Sequence, residues 1–487
     1  MSLTIRNLTI TPLELKQIER FDGDPVHAGR VANLTAAFSG LINGTSGSGH
    51  GSETAARVGM TPRGDAPSSA EELTGLALAP FTALSTSIKA PEPGREVLRL
   101  RFERPGAGHR YRLDIPGPSP RTLIMTAEGG DGAKTFSAVY LPHASFLALF
   151  SSANLAAWMR ELRGSYPLSA LSIPGTHNSP THHVALPSVR CQAVDVRAQL
   201  ENGVRFLDVR VSAGPDDDDD DLALVHGVFP VSLTGTKWFK DLLVDVYAFL
   251  DANPSEAVLM SVKREGTGKA TDQQLSRYLA RRYLAGDDAR RWFTTPRIPT
   301  LDEARGKVVL VRRFGLDEAL QREHGGAGWG IDGSSWPDNC EDGTCGSGLI
   351  RVQDFYEVEH PTHITKKIDF VHKQLERCAE QLFAMPGAQA ESKPPEHPSS
   401  RPVFVNFLSA SNFFNASLWP ENIAAKLNPS IIDYLCTRHG DSGMGPNQLD
   451  VGHGATGVVV TDWVGRNGDW DLVRCIVGWN SMLQLKS

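Results

Sequence analysis

The sequence predicts an α/β protein: a TIM-type (β/α)8 barrel over residues 151–487, preceded by a small all-β, sandwich-like domain over residues 1–150. Three observations predict it. Short alternating runs with polar breaks fill the first 150 residues. From "WMRELRGSYPLSALSIPG" onward, strand-like apolar runs alternate with runs of helical spacing, which is the grammar of a parallel sheet with crossover helices. Ionisable residues stand at the C-terminal ends of those apolar runs, the face on which a barrel gathers its chemistry.

In the first domain, "LTIRNLTIT", "LELKQIERF", "EVLRLRFER", "RYRLDIP" and "RTLIMTAE" alternate with period two and read as strands. The stretch "SGLINGTSGSGHGSETAARVGMTPRGDAPSSAEE" is rich in Gly, Ser, Thr and Pro and reads as a loop inside that domain. It carries no catalytic constellation, so targeting, membrane contact or stabilisation are the roles left to the domain. In the second part, "YPLSALSI" reads as a strand ended by Pro174 and Gly175, and "VRFLDVRV", "LALVHG", "AVLMSVKRE", "KVVLVRRF", "RPVFVNFLSA" and "TGVVVTDWVG" read as further strands. "TKWFKDLLVDVYAFLDA" and "KIDFVHKQLERCAEQLFAM" repeat their apolar residues at helical spacing. About 330 residues of such alternation suit a closed barrel with long loops. "AMPGAQAESKPPEHPSSRP" reads as a proline-rich surface loop.

Composition excludes several classes. With 40% hydrophobic and 22% charged residues the chain can build a core, and a formal net charge of −7 argues against a nucleic-acid partner. Six cysteines in 487 residues are too few for a disulfide scaffold. Cys340 and Cys345 stand close together, but no second pair with zinc spacing follows, and a loop disulfide between them stays open. No 18-residue apolar run supplies a transmembrane anchor, and the N-terminus reads as a strand rather than a signal peptide, which makes the cytoplasm the default location, with peripheral membrane contact.

His177 and Asn178 follow the first apolar run, and Asp208 and Arg210 lie on the second. His226, Lys263, Arg313 and Asp462 end later ones. Two histidines and an arginine suit phosphodiester cleavage. Negative charge grows on the phosphate oxygens in the transition state, and a guanidinium binds them in a planar fork while staying charged. One histidine takes a proton from the attacking hydroxyl and the other gives one to the leaving alkoxide. A carboxylate, for which Asp462 has the right type and position, orients the base and stabilises its imidazolium.

The blocks "WMRELRGSYPLSALSIPGTHNS", "GVRFLDVRVS", "LVHG", "FLDANPSEAVLMSVKREG", "DEARGKVVLVRRF", "WPDN", "RVQDFYEV", "VNFLSAS" and "GVVVTDW" resemble, in order, the bacterial phosphatidylinositol-specific phospholipases C, the metal-independent branch of the phospholipase C X-domain superfamily. The resemblance covers residues from about 155 to 487 and leaves residues 1–150 outside it. It implies a distorted (β/α)8 barrel that cleaves phosphatidylinositol by attack of the inositol 2-hydroxyl, giving diacylglycerol and a cyclic inositol phosphate, with no cofactor or metal and a phospholipid at a membrane surface as partner. By position it implies His177 as general base, Asp462 as its carboxylate partner, His226 as general acid and Arg210 as the phosphate-binding arginine. Lys263, Arg313, Asp354 and Tyr356 match residues that grip the inositol ring. One departure is Asn178, where the bacterial branch has an aspartate; asparagine can hydrogen-bond His226 or Arg210 but supplies no charge. Asp208 is a compensating carboxylate.

Competing readings exist for several residues. Lys263 and Arg313 also fit barrel-mouth salt bridges, and Asp462 a strand-end cap. His182 and His183 read as a rim loop rather than a metal pair. Asp216–Asp221 is six contiguous aspartates, without the alternate spacing and glycine turn of a calcium loop, and reads as a solvated loop. Trp329 and Trp336 fit either core packing or a lipid interface. For the whole chain, two alternatives stand beside the lipase: a related phosphodiesterase acting on another head group, and a catalytically weak phosphoinositide-binding module.

Overall fold

Period-two alternation puts one side chain in two on each face of a strand, so a run such as "EVLRLRFE" must find a core for its apolar face. The computed structural model, which describes residues 1–26, 59–118, 123–128, 135–214, 221–383, 401–441 and 452–485, divides into two compact units, Met1–Ser152 and Ala153–Ser487. In the first unit the alternating runs form two sheets. One orders Thr82–Lys89, Ser2–Leu8, Phe146–Ser151, Phe136–Leu141 and Leu123–Ile124. The other orders Met60–Pro62, Leu13–Pro25, Glu96–Glu103, Arg110–Ile115 and Thr126–Glu128, with Ser69–Leu78 also paired to Leu13–Pro25. Both sheets feed one core that includes Leu3, Ile5, Leu15, Leu100, Phe102, Phe136 and Leu149.

The Gly/Ser-rich stretch is therefore not wholly a loop. Met60–Pro62 and most of Ser69–Leu78 lie beyond or within its C-terminal part and pair with Leu13–Pro25. Glu71 and Glu72 hide the strand in the sequence, because charge sits on an exposed face there. Residues 39–58 of that stretch, residues 384–400 of the proline-rich segment, and Asp216–Asp220 lie outside the described residues.

In the second unit, eight parallel strands follow one another in the chain, Ile173–Thr176, Phe206–Ser212, Val258–Arg264, Val308–Arg313, Ile331–Asp332, Ile350–Gln353, Val403–Phe407 and Val458–Thr461, and a two-residue strand, Trp292–Phe293, pairs parallel on the edge of Val308–Arg313. The first strand sits between the second and the last, so the sheet curls back on itself. Helices Phe239–Ala252, Asp272–Arg282, Thr362–Ala379 and Pro420–Thr437 connect successive strands. Ile331–Asp332 and Ile350–Gln353 are too short to show in the sequence.

Two corrections concern the elements that carry histidines. The first strand is not "YPLSALSI"; it runs through the Pro-Gly pair as Ile173–Thr176. Pro174 is tolerated because its carbonyl still accepts from Arg205 N (2.8 Å), while the Gly203 carbonyl, which a residue with an N–H would face in this register, accepts from the Trp158 indole instead (3.0 Å). Gly175 is needed where it stands, since a Cβ there would lie 3.0 Å from Phe206 Cβ. "LALVHG" is not a parallel strand. Ala223–His226 turns back antiparallel on Phe206–Ser212 and continues into a hairpin with Phe229–Pro230.

The inner face of the curled sheet explains where the chemistry lies. Residues at every second position, Ile173, Phe206, Leu259, Val309, Val352, Val405 and Val460 among them, belong to one apolar cluster. Continued by two, four or six residues along the same strands, this face becomes His177, Asp208 and Arg210, Lys263 and Glu265, Arg313, Asp354 and Asp462. The opposite face of the same strands (Leu207, Val209, Met260, Val262, Leu310) packs into a second cluster with the helices. An apolar floor thus carries an ionisable layer at the C-terminal ends of the strands.

Candidate active site

The register fixes the layer. Arg210 lies beside Lys263, and Lys263 beside Arg313, on three adjacent strands. Three cations in a row repel, and carboxylates separate them. Asp208 accepts from Arg210 Nε and Nη2 (both 3.2 Å) and stands 3.6 Å from Arg313 Nη1. Glu265 Oε1 accepts from Arg210 Nη1 (3.0 Å) and Lys263 Nζ (2.7 Å), and its Oε2 accepts from Gly227 N (2.8 Å). Burial opposes ionisation of both carboxylates, but the cations outweigh it: Asp208 is held well below the usual carboxylate range by Arg210 and Arg313, and Glu265 is brought down to about 2 by Arg210 and Lys263. Arg210 in turn is held firmly charged, burial being outweighed by Asp208 and Glu265.

Facing this cluster, His177 Nδ1 lies 3.0 Å from Asp462 Oδ1. The strand places both: His177 N donates to Thr461 O (2.9 Å), and Gln192 Nε2 bridges the carbonyls of His177 and Thr461 (2.7 and 3.0 Å). Burial pushes the Asp462 carboxyl upward and His177 pulls it back. A carboxylate acceptor fixes the proton of His177 on Nδ1 and leaves Nε2 as the basic atom. His226 meets His177 edge to face, with ring centroids 5.4 Å apart and planes at 84°. Its Nδ1 lies 2.8 Å from the Val189 carbonyl, so an added proton goes to Nε2. Burial, with Arg210 and His177 alongside, lowers its pKa to about 3. The ring is therefore neutral until an anion enters.

The remaining expected residues separate into two groups. Arg313 is buried against the Trp336 ring, its guanidinium carbon 3.9 Å from the centroid, and its Nε and Nη1 make no hydrogen bond. Trp336 Nε1 donates to Asp354 Oδ2 (3.1 Å), whose carboxyl burial pushes upward. Trp336 is thus a wall of this cluster, whereas Trp329 is core. Tyr356 is set apart from these bonds, its hydroxyl donating to Asp338 (2.9 Å). Asn178 sits beneath the layer with φ of 40°. Its backbone N donates to Asp208 Oδ2 (3.0 Å), while its buried amide oxygen and nitrogen have no hydrogen-bond partner among the described residues and so reach neither His226 nor Arg210. His182 and His183 face each other at 3.9 Å and join no group of metal-ligating side chains among the described residues. Cys340 and Cys345 are free thiols.

Four residues were not read from the sequence. Glu265 carries a signal in retrospect, since it stands two residues after Lys263 and so on the same strand face. Lys367, on the helix Thr362–Ala379, has none: it is fully buried, donates to Gln353 Oε1 (3.0 Å), and burial lowers its pKa to about 7 against the pull of Asp354 and Asp462. Gln192 and Cys191 sit in an irregular segment that no periodicity marks.

Parts of this chain are similar to known proteins. Residues 164–314 match the family described as "Phosphatidylinositol-specific phospholipase C, X domain". A 1-phosphatidylinositol phosphodiesterase of Staphylococcus aureus (strain Newman) is 27% identical over 286 residues, which span 56% of this chain and 81% of that protein. The protein of the same name from Listeria monocytogenes is 30% identical over 173 residues, 33% of this chain and 50% of its own. PI-PLC X domain-containing protein 1 of Homo sapiens is 28% identical over 191 residues, 32% of this chain and 55% of its own. A solved structure of a double mutant of the S. aureus phosphatidylinositol-specific phospholipase C superposes with a TM-score of 0.51 at 25% identity, covering 67% of this chain and 97% of that one. Residues 164–314 thus match the X domain of phosphatidylinositol-specific phospholipase C, and the chain is similar to these bacterial 1-phosphatidylinositol phosphodiesterases.

Proposed function

We propose that this protein is a phosphatidylinositol-specific phospholipase C that cleaves its lipid by internal attack of the inositol 2-hydroxyl. The observation that carries the reading is the pair of facing imidazoles, one backed by Asp462, beside an arginine held between two carboxylates. His177 Nε2 takes the proton of the 2-hydroxyl, and that oxygen bonds to phosphorus. The bond from phosphorus to the glycerol oxygen breaks, and His226 Nε2 gives its proton to that oxygen. Diacylglycerol leaves, and a cyclic inositol phosphate remains. The phosphate's own negative charge raises the proton affinity of His226, which the empty site depresses, so the acid is charged by the substrate it serves. Arg210 binds the non-bridging oxygens where a metal ion would otherwise stand. An internal nucleophile held at the phosphorus removes several kcal/mol of entropic barrier.

Arg313, Lys263 and Asp354 line the same layer and supply donors and an acceptor for ring hydroxyls. We read the eight parallel strands as a distorted (β/α)8 barrel over residues 151–487, and residues 1–150 as a separate sandwich-like domain. No helix among the described residues is long and apolar enough to cross a membrane. The loops at the catalytic end instead expose Val184, Val228, Leu233 and Phe414, with Phe413 stacked on Phe229 at 5.5 Å. Such a rim suits contact with a bilayer that presents the substrate.

A different head group is the second reading, favoured by the unpartnered Asn178 amide. Phosphorus NMR of the protein incubated with phosphatidylinositol tests the first: a cyclic phosphodiester signal supports it. Release of a phosphate monoester from another phospholipid, with phosphatidylinositol untouched, supports the second.

A further inference from the structure

We propose that His177, Cys191 and His226 form a built-in site for a soft divalent cation, zinc or cadmium, whose occupation switches the active site off. One nitrogen of each ring and the Cys191 sulfur lie within 4.8 Å of one another. Bound zinc holds sulfur at about 2.3 Å and imidazole nitrogen at about 2.1 Å, which puts the donors of a tetrahedral site roughly 3.5 Å apart. Cys191 Sγ is 3.7 Å from His226 Nδ1, which donates to the Val189 carbonyl, so ligation through Nδ1 moves that proton to Nε2 and gives up the bond, and closing the site needs side-chain shifts of about an ångström.

The surroundings are those of a held ligand set. Cys191 is fully buried. Its N donates to Thr181 Oγ1 (3.1 Å), and its carbonyl accepts from Trp463 N (2.9 Å), next to Asp462 in the chain. Asp462 on His177 Nδ1 reproduces the carboxylate–histidine–metal arrangement, in which the outer carboxylate raises the basicity of the ligating nitrogen. The third ligand is a thiol, and two nitrogens with one sulfur select zinc or cadmium over magnesium or calcium. Arg210 disfavours positive charge at His226, and a bound cation is offset instead by the Cys191 thiolate that its binding creates and by Asp462 on His177. On binding, the Cys191 S–H bond is exchanged for a sulfur–metal bond and the proton goes to solvent. A metal so held takes the lone pair that His177 needs as base and one nitrogen of His226, so turnover stops while it is bound. Cys191 itself has no part in the reaction.

The inhibition rests on the proposed phospholipase reading; metal binding does not. Chelator-stripped protein is titrated with zinc chloride by calorimetry and with cadmium chloride by ultraviolet absorption. One site per chain with a cadmium–thiolate charge-transfer band is expected, and Cys191→Ser should lose the band and weaken zinc by at least roughly tenfold. His226→Ala should weaken it likewise, which covers the case that the serine variant misfolds. On phosphatidylinositol, zinc should inhibit the wild type, EDTA should restore it, and the serine variant should turn over normally with its inhibition midpoint raised at least roughly tenfold. Equal zinc affinity in wild type and both variants, or no thiolate band, overturns the site. Zinc bound through Cys191 without loss of turnover overturns the switch. A chain that binds zinc this way but gives no cyclic phosphate in the NMR assay keeps the site and loses the phospholipase reading.

Discussion

Replacing Glu265 by glutamine isolates what the structure adds to the sequence. The carboxylate has two jobs: Oε1 holds Arg210 and Lys263, and Oε2 holds the backbone of Gly227, next to His226. The amide keeps one acceptor oxygen, so Arg210 retains a bond there in addition to Asp208. At Oε2 the amide presents NH2 to the Gly227 N–H, two donors face to face, and that bond is lost. A hydrogen bond to a charged group is worth about 1.5–3 kcal/mol. If most of that loss falls on the transition state, through a displaced His226 hairpin and a less fixed Arg210, kcat drops roughly 10- to 100-fold, since each factor of ten is about 1.4 kcal/mol. KM should stay within roughly threefold, because among the proposed ring-binding residues only Lys263 is bonded to Glu265, and it keeps an acceptor in the amide oxygen. The assay is phosphatidylinositol cleavage in detergent micelles, with circular dichroism melts to show that the variant is folded. A folded variant with wild-type kcat refutes the reasoning: Arg210 and His226 would then be held without Glu265. A rise confined to KM refutes it too, placing Glu265 in binding alone.

Four further outcomes are expected. His177→Ala and His226→Ala should each lower cleavage by roughly 10²–10⁴ or more with the fold kept; measured turnover near wild type removes the role of that residue. Activity should survive EDTA and EGTA, whereas Arg210→Ala should lose most of it; loss on chelation with recovery on adding calcium contradicts the role given to Arg210. Gly175→Ala should cost about 1–3 kcal/mol of stability, because the added methyl meets Phe206 Cβ at 3.0 Å, and a thermal melt unchanged from wild type denies that contact. Asn178→Asp places a second carboxylate beside Asp208, whose Oδ2 already takes the backbone N of residue 178; it should cost about 1–3 kcal/mol rather than act by pairing with His226, and an unchanged melt with a raised rate restores the sequence-based expectation of a carboxylate that tunes the acid.

The sequence made the site legible because strand alternation has a fixed period. Phe206, Asp208 and Arg210 share a face, as do Val458, Val460 and Asp462, so an apolar run with an ionisable residue at its end already states which side chains point inward. What it concealed follows from the same physics. "LALVHG" has a strand's composition, yet direction is set by its partner, and only the pairing shows that His226 arrives on an antiparallel hairpin. Pro174 looked like a strand end, because a missing N–H is tolerable only where a neighbour's carbonyl is otherwise engaged, here by Trp158. The helical period of "KIDFVHKQLERCAEQLFAM" was legible; that Lys367 on it points at Gln353 in the interior was not, since lysine belongs by default to the solvent face.

Asn178 carries this argument furthest. From the sequence it was a substitution in the charge balance of the acid, because its neighbours had to be supplied by resemblance. In the fold its side chain bonds to nothing among the described residues and its backbone, in the left-handed region that asparagine tolerates better than most residues, donates to Asp208. Its position therefore steadies the carboxylate that holds Arg210. The negative charge around that arginine is already provided by Asp208, which the sequence offered as a compensating carboxylate, and by Glu265, which the sequence did not single out. With that pair the Arg210 guanidinium is charge-balanced and oriented without a third carboxylate, and an uncharged residue at position 178 avoids setting three buried anions around one cation.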